Sequence, residues 1–122
     1  MNMGNSLNAL SLDEIWAKIG QELNAKPEPY QDEHVRYEFI IDEKGEVSRW
    51  QLLLDNGRAE IFPGIAGEPA CTLELSGKHF RKLLTGDLNS MAAFMTGKLK
   101  VLGNVGFALK LENLLKEYQF SG

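Results

Sequence analysis

Apolar residues recur along this chain at two periods, and the switches between them divide it into elements. Leu12, Ile15, Trp16, Ile19 and Leu23 return every three or four residues, which predicts an amphipathic helix from residue 11. Ser11 and Glu14 stand three apart at its start, the spacing of a capping box, with Leu10 and Ile15 at the staple positions. Lys26-Pro27-Glu28-Pro29 ends the helix, because the residue before a proline is pushed out of helical geometry. The period then changes to two. Val35, Tyr37, Phe39 and Ile41 alternate with Arg36, Glu38 and Asp42, a strand with one buried face; Ile40 implies some cover on the other. Trp50, Leu52 and Leu54 mark a second strand. Asn56-Gly57 is a strong hairpin signal, since both residues tolerate positive φ. Residues 58–62 return as a third strand, so the first half of the sheet reads as a meander.

Residues 64–69, Gly-Ile-Ala-Gly-Glu-Pro, are too many for a tight hairpin and could carry the chain to the other side of the sheet. Cys71, Leu73 and Leu75 alternate as a fourth strand. Ser76 is placed to cap a short helix that uses Phe80, Leu83 and Leu84. Asn89 or Ser90 can cap another, which carries Met91, Phe94 and Met95. In residues 98–102 Leu99 and Val101 share one face while Lys98 and Lys100 take the other, a fifth strand. A last helix is expected over residues 105–118. Phe107, Leu111, Leu114, Leu115 and Tyr118 form its main arc, with Val105 and Leu109 nearly opposite. The start of this helix is therefore apolar on two sides, and either packs between layers or presents an apolar spot. The whole pattern is α+β: helix, three-strand meander, crossover, strand, helices, strand, C-terminal helix.

Length and composition narrow the picture. A chain of 122 residues with 43% hydrophobic content suits one domain, residues 11–122, after a loose polar arm at 1–10. Its apolar runs are far too short to span a bilayer. The first residues lack a secretory pattern and the last four, Gln119 to Gly122, are not a peroxisomal address, so a cytoplasmic setting is expected. One cysteine cannot form an internal disulfide. A net charge of −4 without a basic cluster in sequence argues against nucleic acid and against a stable membrane anchor.

Candidate chemistry is sparse. His34 and His79 are the available imidazoles, and nothing in sequence pairs either with a nucleophile. Cys71 falls on the apolar face of a strand, where a free thiol behaves as a small hydrophobe. No metal-ligand spacing or nucleotide fingerprint is present, and no cofactor is expected. Gly103-Asn104-Val105-Gly106 joins a strand to a helix, a geometry that serves close packing or holds a phosphate on free amides.

Several stretches occur together in order. They are Trp50-x-Leu52-x-Leu54-x-Asn56-Gly57, the strand Cys71–Ser76, Gly86-Asp87-Leu88-Asn89, Ala93-Phe94, and Gly97-Lys98-Leu99-Lys100-Val101-Leu102-Gly103-Asn104. This set resembles the sterol carrier protein type 2 lipid-binding domain, over about residues 35–115. Ser90 departs from it, where the family often has proline. The resemblance implies a five-stranded mixed sheet covered by helices, with an apolar tunnel between the layers. It implies non-catalytic binding, and transfer or presentation, of fatty acids, fatty acyl-CoA, phospholipid or sterol, as a monomer or homodimer serving enzymes of lipid metabolism. The residues whose facing and family position put them on the tunnel are Trp50, Leu52, Phe80, Met91, Phe94, Met95, Val101, Phe107 and Leu111. Lys98, Lys100 and Asn104 are the candidates for a headgroup or a coenzyme A phosphate. Mobility of the last helix would expose and release the ligand. The alternative is a protein interaction or dimerisation module that uses Val105, Leu109 and the same apolar surface. A third reading, an acyl-CoA hydrolase working through His79, has no triad behind it.

Overall fold

The computed structural model describes residues 7–120. Helix α1 (Leu12–Ala25) opens the core region, and a short 3-10 turn (Glu28–Tyr30) leads into the sheet. The strands are β1 (His34–Glu43), β2 (Glu46–Asp55), β3 (Arg58–Pro63), β4 (Cys71–Ser76) and β5 (Leu99–Gly103). Helices α2 (Gly77–Thr85) and α3 (Ser90–Met95) lie between β4 and β5, and α4 (Val105–Leu115) follows β5. The sheet order is β3-β2-β1-β4-β5. All pairs are antiparallel except β1 with β4, which run parallel, Phe39 beside Leu73.

The expected caps form. Ser11 Oγ accepts from the Glu14 amide at 3.2 Å, and Glu14 accepts from the Ser11 amide at 2.9 Å. Ser76 caps α2, and of the two candidates for α3 it is Asn89 that accepts, from the Ala92 amide. One face of the sheet carries Tyr37, Phe39, Ile41, Leu52, Leu54, Leu73 and Leu99, all buried beneath the helices.

A parallel pair cannot be joined by a tight turn, so the chain must cross a face of the sheet between β3 and β4. It crosses the outer face. Gly67 donates to and accepts from the Gln51 amide at 3.1 and 2.9 Å, and Arg36 donates to the same Gln51 oxygen at 3.0 Å. Gln51 is thereby buried with its polar atoms satisfied. Beside it the buried Glu38 accepts from Arg49 and from the Thr72 hydroxyl. This polar network explains the partial cover implied by Ile40.

Two boundaries differ from the sequence expectation. Helix α4 stops at Leu115 rather than 118, and the chain closes with turns. Tyr118 leaves the helical phase to donate its hydroxyl to the Lys26 carbonyl at 2.6 Å, and it packs against the buried Phe120. At the other end, residues 1–6 of the expected arm lie outside the described residues, while Leu7 is buried. The reason is Arg81, which donates to the carbonyls of Leu7 at 3.0 Å and Leu10 at 2.8 Å and pairs with Glu43 at 2.7 Å. A side chain at Gly77 would run into Glu43, so α2 must begin with glycine to seat this cluster.

Hydrogen bonding from Arg81 holds the Glu43 carboxyl below the usual carboxylate range; burial opposes this, and the charges of Arg81 and Lys44 assist. A depressed carboxyl contributes stability that is complete above its unfolded pKa and is lost as pH falls through its folded value. Urea unfolding of the wild type should therefore weaken as pH falls from neutrality through the carboxylate range. Glu43→Gln should cost about 1–2 kcal/mol at neutral pH and should show a shallower loss across the same window.

Candidate functional site

The residues expected on the tunnel separate into three groups. Trp50, Leu52, Phe80 and Leu111 are core residues. Trp50 stacks on Trp16 at 5.6 Å between ring centres, and Trp16 also meets Phe80 and Phe39, each at 5.1 Å. An aromatic plug thus fills the interior beneath α1 and α2. Val101 and Phe107 are half-buried at the seam between the sheet and α4, where Phe107 meets Tyr37 edge-on at 6.4 Å. Met91, Phe94 and Met95 form the third group, exposed on α3 away from the core. Beneath α1 and α2 the aromatic plug and the leucines occupy the space between the layers.

A cleft does open at the α4 end. It holds about 190 Å³ and is lined by Pro29, Glu33, Tyr37, Leu54, Lys110, Asn113, Leu114 and Glu117. Its floor is apolar, from Leu54 and Leu114, and its rim is polar. Lys110 pairs with Glu33 at 3.0 Å across that rim and ties α4 to the start of β1. Burial, with smaller contributions from Cys71 and Glu33, pushes the Tyr37 phenol well above its ordinary pKa, so it stays a neutral donor. Two further links hold the end of α4: Lys26 Nζ donates to the Glu117 carbonyl at 3.0 Å, and Tyr118 to Lys26. None of the nine expected lining residues borders this cleft. Leu54 was legible in the sequence as the next inward residue after Leu52. Tyr37, inward on β1, is the one such residue there with a polar tip. Glu33 and Lys110 carry no local signal, since 77 positions separate them.

Lys98, Lys100 and Asn104 also lie outside the cleft lining. Asn104 Oδ1 accepts from the Gly106 amide at 2.8 Å and so caps α4. The two lysines are exposed. At this join Gly103 has φ 101°, and a β-carbon there would stand 2.8 Å from the Ala70 carbonyl oxygen, which only glycine avoids.

The sequence model of the SCP-2 sterol transfer family matches residues 18–116. The chain belongs to this family. It is 37% identical over 70 residues to human sterol carrier protein 2, a match covering 57% of this chain and 13% of that protein. The chain therefore accounts for a small part of the curated relatives it matches. Among solved structures, it resembles the apo sterol carrier protein 2 of Yarrowia lipolytica at 29% identity and TM-score 0.62, over 96% of this chain and 86% of that one. It resembles the Aedes aegypti sterol carrier protein-2 complexed with palmitate at 25% identity and TM-score 0.69, over 90% of this chain and all of that one.

Against the SCP-2 fold, the candidate nucleophiles and bases have structural partners. Ser76 Oγ and His79 Nδ1 share a hydrogen bond of 2.9 Å, a pairing that the sequence reading missed. The same oxygen accepts from the His79 amide as the cap of α2, so the contact follows from capping geometry three residues apart. His34 sits on Asp55 at 3.0 Å, exposed. Burial pushes the Cys71 thiol up, away from a reactive thiolate. Among the described residues, no three His, Cys, Asp or Glu side chains are grouped to hold a metal, and no helix is long and apolar enough to cross a membrane.

Asn104→Ala should lower unfolding stability by about 1 kcal/mol, the usual worth of an N-cap, and Asn104→Ser should restore most of it. If acyl-CoA affinity also drops in Asn104→Ser, the residue contacts ligand as well as helix.

Proposed function

We propose that this chain binds a lipid by its acyl chain between the sheet and α4, without catalysing its turnover. It then transfers or presents that lipid to enzymes of lipid metabolism. The observation that carries the reading is the cleft under α4, apolar at its floor and polar at its rim, in a chain of this family. The palmitate held by the Aedes relative makes a fatty acyl chain the first ligand to test.

The mechanism follows from how α4 is held. On α4 the half-buried Phe107, Leu109 and Leu114 stand beside the buried Leu111 and Leu115, whereas α1 seats Ile15, Trp16, Ile19 and Leu23 fully in the core, and partly covered apolar side chains make α4 the easier helix to displace. Displacing α4 about its glycine-preceded N-terminus would extend the cleft along Tyr37 and Phe107 toward Val101. The acyl chain would replace the contacts that α4 gives up. The polar end of the lipid would stay at the rim, within reach of the Tyr37 hydroxyl and Lys110. Burial of the chain provides the affinity, at about 0.8 kcal/mol per methylene.

Native mass spectrometry of freshly purified protein, then titration with saturated fatty acids of increasing length, tests this. Affinity should rise by about fourfold per methylene until the site is filled. Leu114→Trp, which fills the cleft, should weaken binding by roughly tenfold. A flat dependence on chain length, or unchanged affinity in Leu114→Trp, would remove the cleft as the site. Lys110→Ala, which frees α4 from Glu33, should speed release by up to about fivefold in stopped-flow displacement, the range of an exposed ion pair.

A further inference from the structure

The tyrosine hydroxyls of this chain are treated unequally. Tyr30 donates to the Leu23 carbonyl at 2.7 Å, and Tyr118 to the Lys26 carbonyl at 2.6 Å. Tyr37 is 1% exposed, yet among the described residues its hydroxyl has no hydrogen-bond partner. It is not sealed in either: the enclosed side-chain atoms without a partner are the Trp16 indole nitrogen and the Ser90 hydroxyl. The Tyr37 hydroxyl therefore has an opening, and the cleft under α4, which Tyr37 lines, is that opening. A buried polar group is normally hydrogen-bonded, and leaving one unanswered costs stability. A phenol held in this way at an apolar-floored cleft marks where the polar atom of a bound molecule belongs.

The charges around the cleft restrict what that atom can be. Glu33 and Glu117 lie in its lining, and Glu28 and Asp32 stand on the stretch that leads to Glu33. The bases are Lys110, paired with Glu33 at 3.0 Å, and Lys26, whose Nζ sits on the Glu117 backbone carbonyl at 3.0 Å. His34, the next residue along, is on Asp55 at 3.0 Å. Acids thus outnumber bases here, and the one base in the lining is already engaged. A carboxylate or phosphate head would enter beside Glu33 and Glu117 and would have to take Lys110 from its partner. An ammonium head would suit those acids, but it carries only donors and leaves the Tyr37 O–H without an acceptor. A hydroxyl head answers both, accepting from Tyr37 and donating to Glu33 or Glu117.

Taking the cleft as a lipid site, we propose that it selects single-chain lipids with an uncharged, hydroxyl-bearing head, of the monoacylglycerol kind, and that Tyr37 sets this preference. The acyl chain lies on Leu54 and Leu114 whatever the head, so the chain supplies affinity and Tyr37 supplies discrimination. The Lys110–Glu33 tie stays in place when such a lipid binds.

The test compares three probes with the same acyl length: 1-monomyristoylglycerol, myristate and tetradecylammonium, titrated below their micelle concentrations. The glycerol ester should bind about fivefold tighter than either charged probe, the worth of one hydrogen bond. Tyr37→Phe should remove that advantage and leave the urea midpoint unchanged or higher, since the hydroxyl has no protein partner to lose. Glu117→Gln should tighten myristate by about threefold, an effect that shrinks as salt is raised. Tightest binding by myristate or by the ammonium would overturn the proposal. So would a Tyr37→Phe protein that keeps the wild-type preference. In both cases Leu114→Trp would still weaken all three probes, and the lipid reading of the cleft would stand. If no probe binds, or Leu114→Trp affects none of them, that reading falls and the headgroup preference falls with it.

Discussion

The parallel pairing of β1 with β4 is the constraint on which the rest of the structure depends. It places β1 at the centre of the sheet, bonded on both sides, and makes a hairpin from β3 to β4 impossible. The crossing segment therefore lies over one face, where Gly67 and Gln51 satisfy one another. The helices are left to the opposite face. That division of the two faces makes the outer layer a polar network around Glu38, Gln51 and Thr72 and the inner layer a hydrophobic core. It also delivers β5 to a free edge and α4 to the seam above Tyr37.

Within the core, cohesion is uneven, and the unevenness suits a domain that must admit a guest. Under α1 the four rings of Trp16, Phe39, Trp50 and Phe80 interlock at centroid separations of 5.1 to 5.6 Å, each contact adding to the area it buries. On α4, Leu111 and Leu115 are buried while Phe107, Leu109 and Leu114 are half-covered, and the ties at its end are polar and near the surface: Lys110 to Glu33, Lys26 to Glu117, Tyr118 to Lys26. Segments held this way open at lower free energy than the global unfolding reaction. The same fold can thus keep a rigid end and a yielding end.

Charge is arranged unevenly as well. Buried carboxylates are matched one by one. Glu112 illustrates the balance: burial alone would raise its pKa, but hydrogen bonds from Ser90 and Lys116 outweigh that and leave it lowered.

The sequence by itself determined the local elements and their order. Ser11 with Glu14, Asn56-Gly57, Ser76, Asn89 and the alternations in β1, β2, β4 and β5 each act within a few residues, where backbone geometry and periodicity suffice. The crossover was legible too, because a six-residue Gly- and Pro-bearing stretch does not make a tight turn. The site was less so. Periodicity says that Leu52, Phe80 and Met95 are apolar and on one face, but not whether that face meets another layer. Only the tertiary structure decided that Leu52 and Phe80 are packed solid while Met95 looks outward. It also decided that the cleft belongs to Tyr37, Leu54 and Leu114 under a Lys110–Glu33 tie. The end of α4 at Leu115 was settled the same way, by a Tyr118 hydroxyl that gains a partner 92 positions away and draws the chain out of the helix. Cavities, ion pairs across the chain and charge clusters arise from contacts between distant segments, and no short-range pattern encodes them.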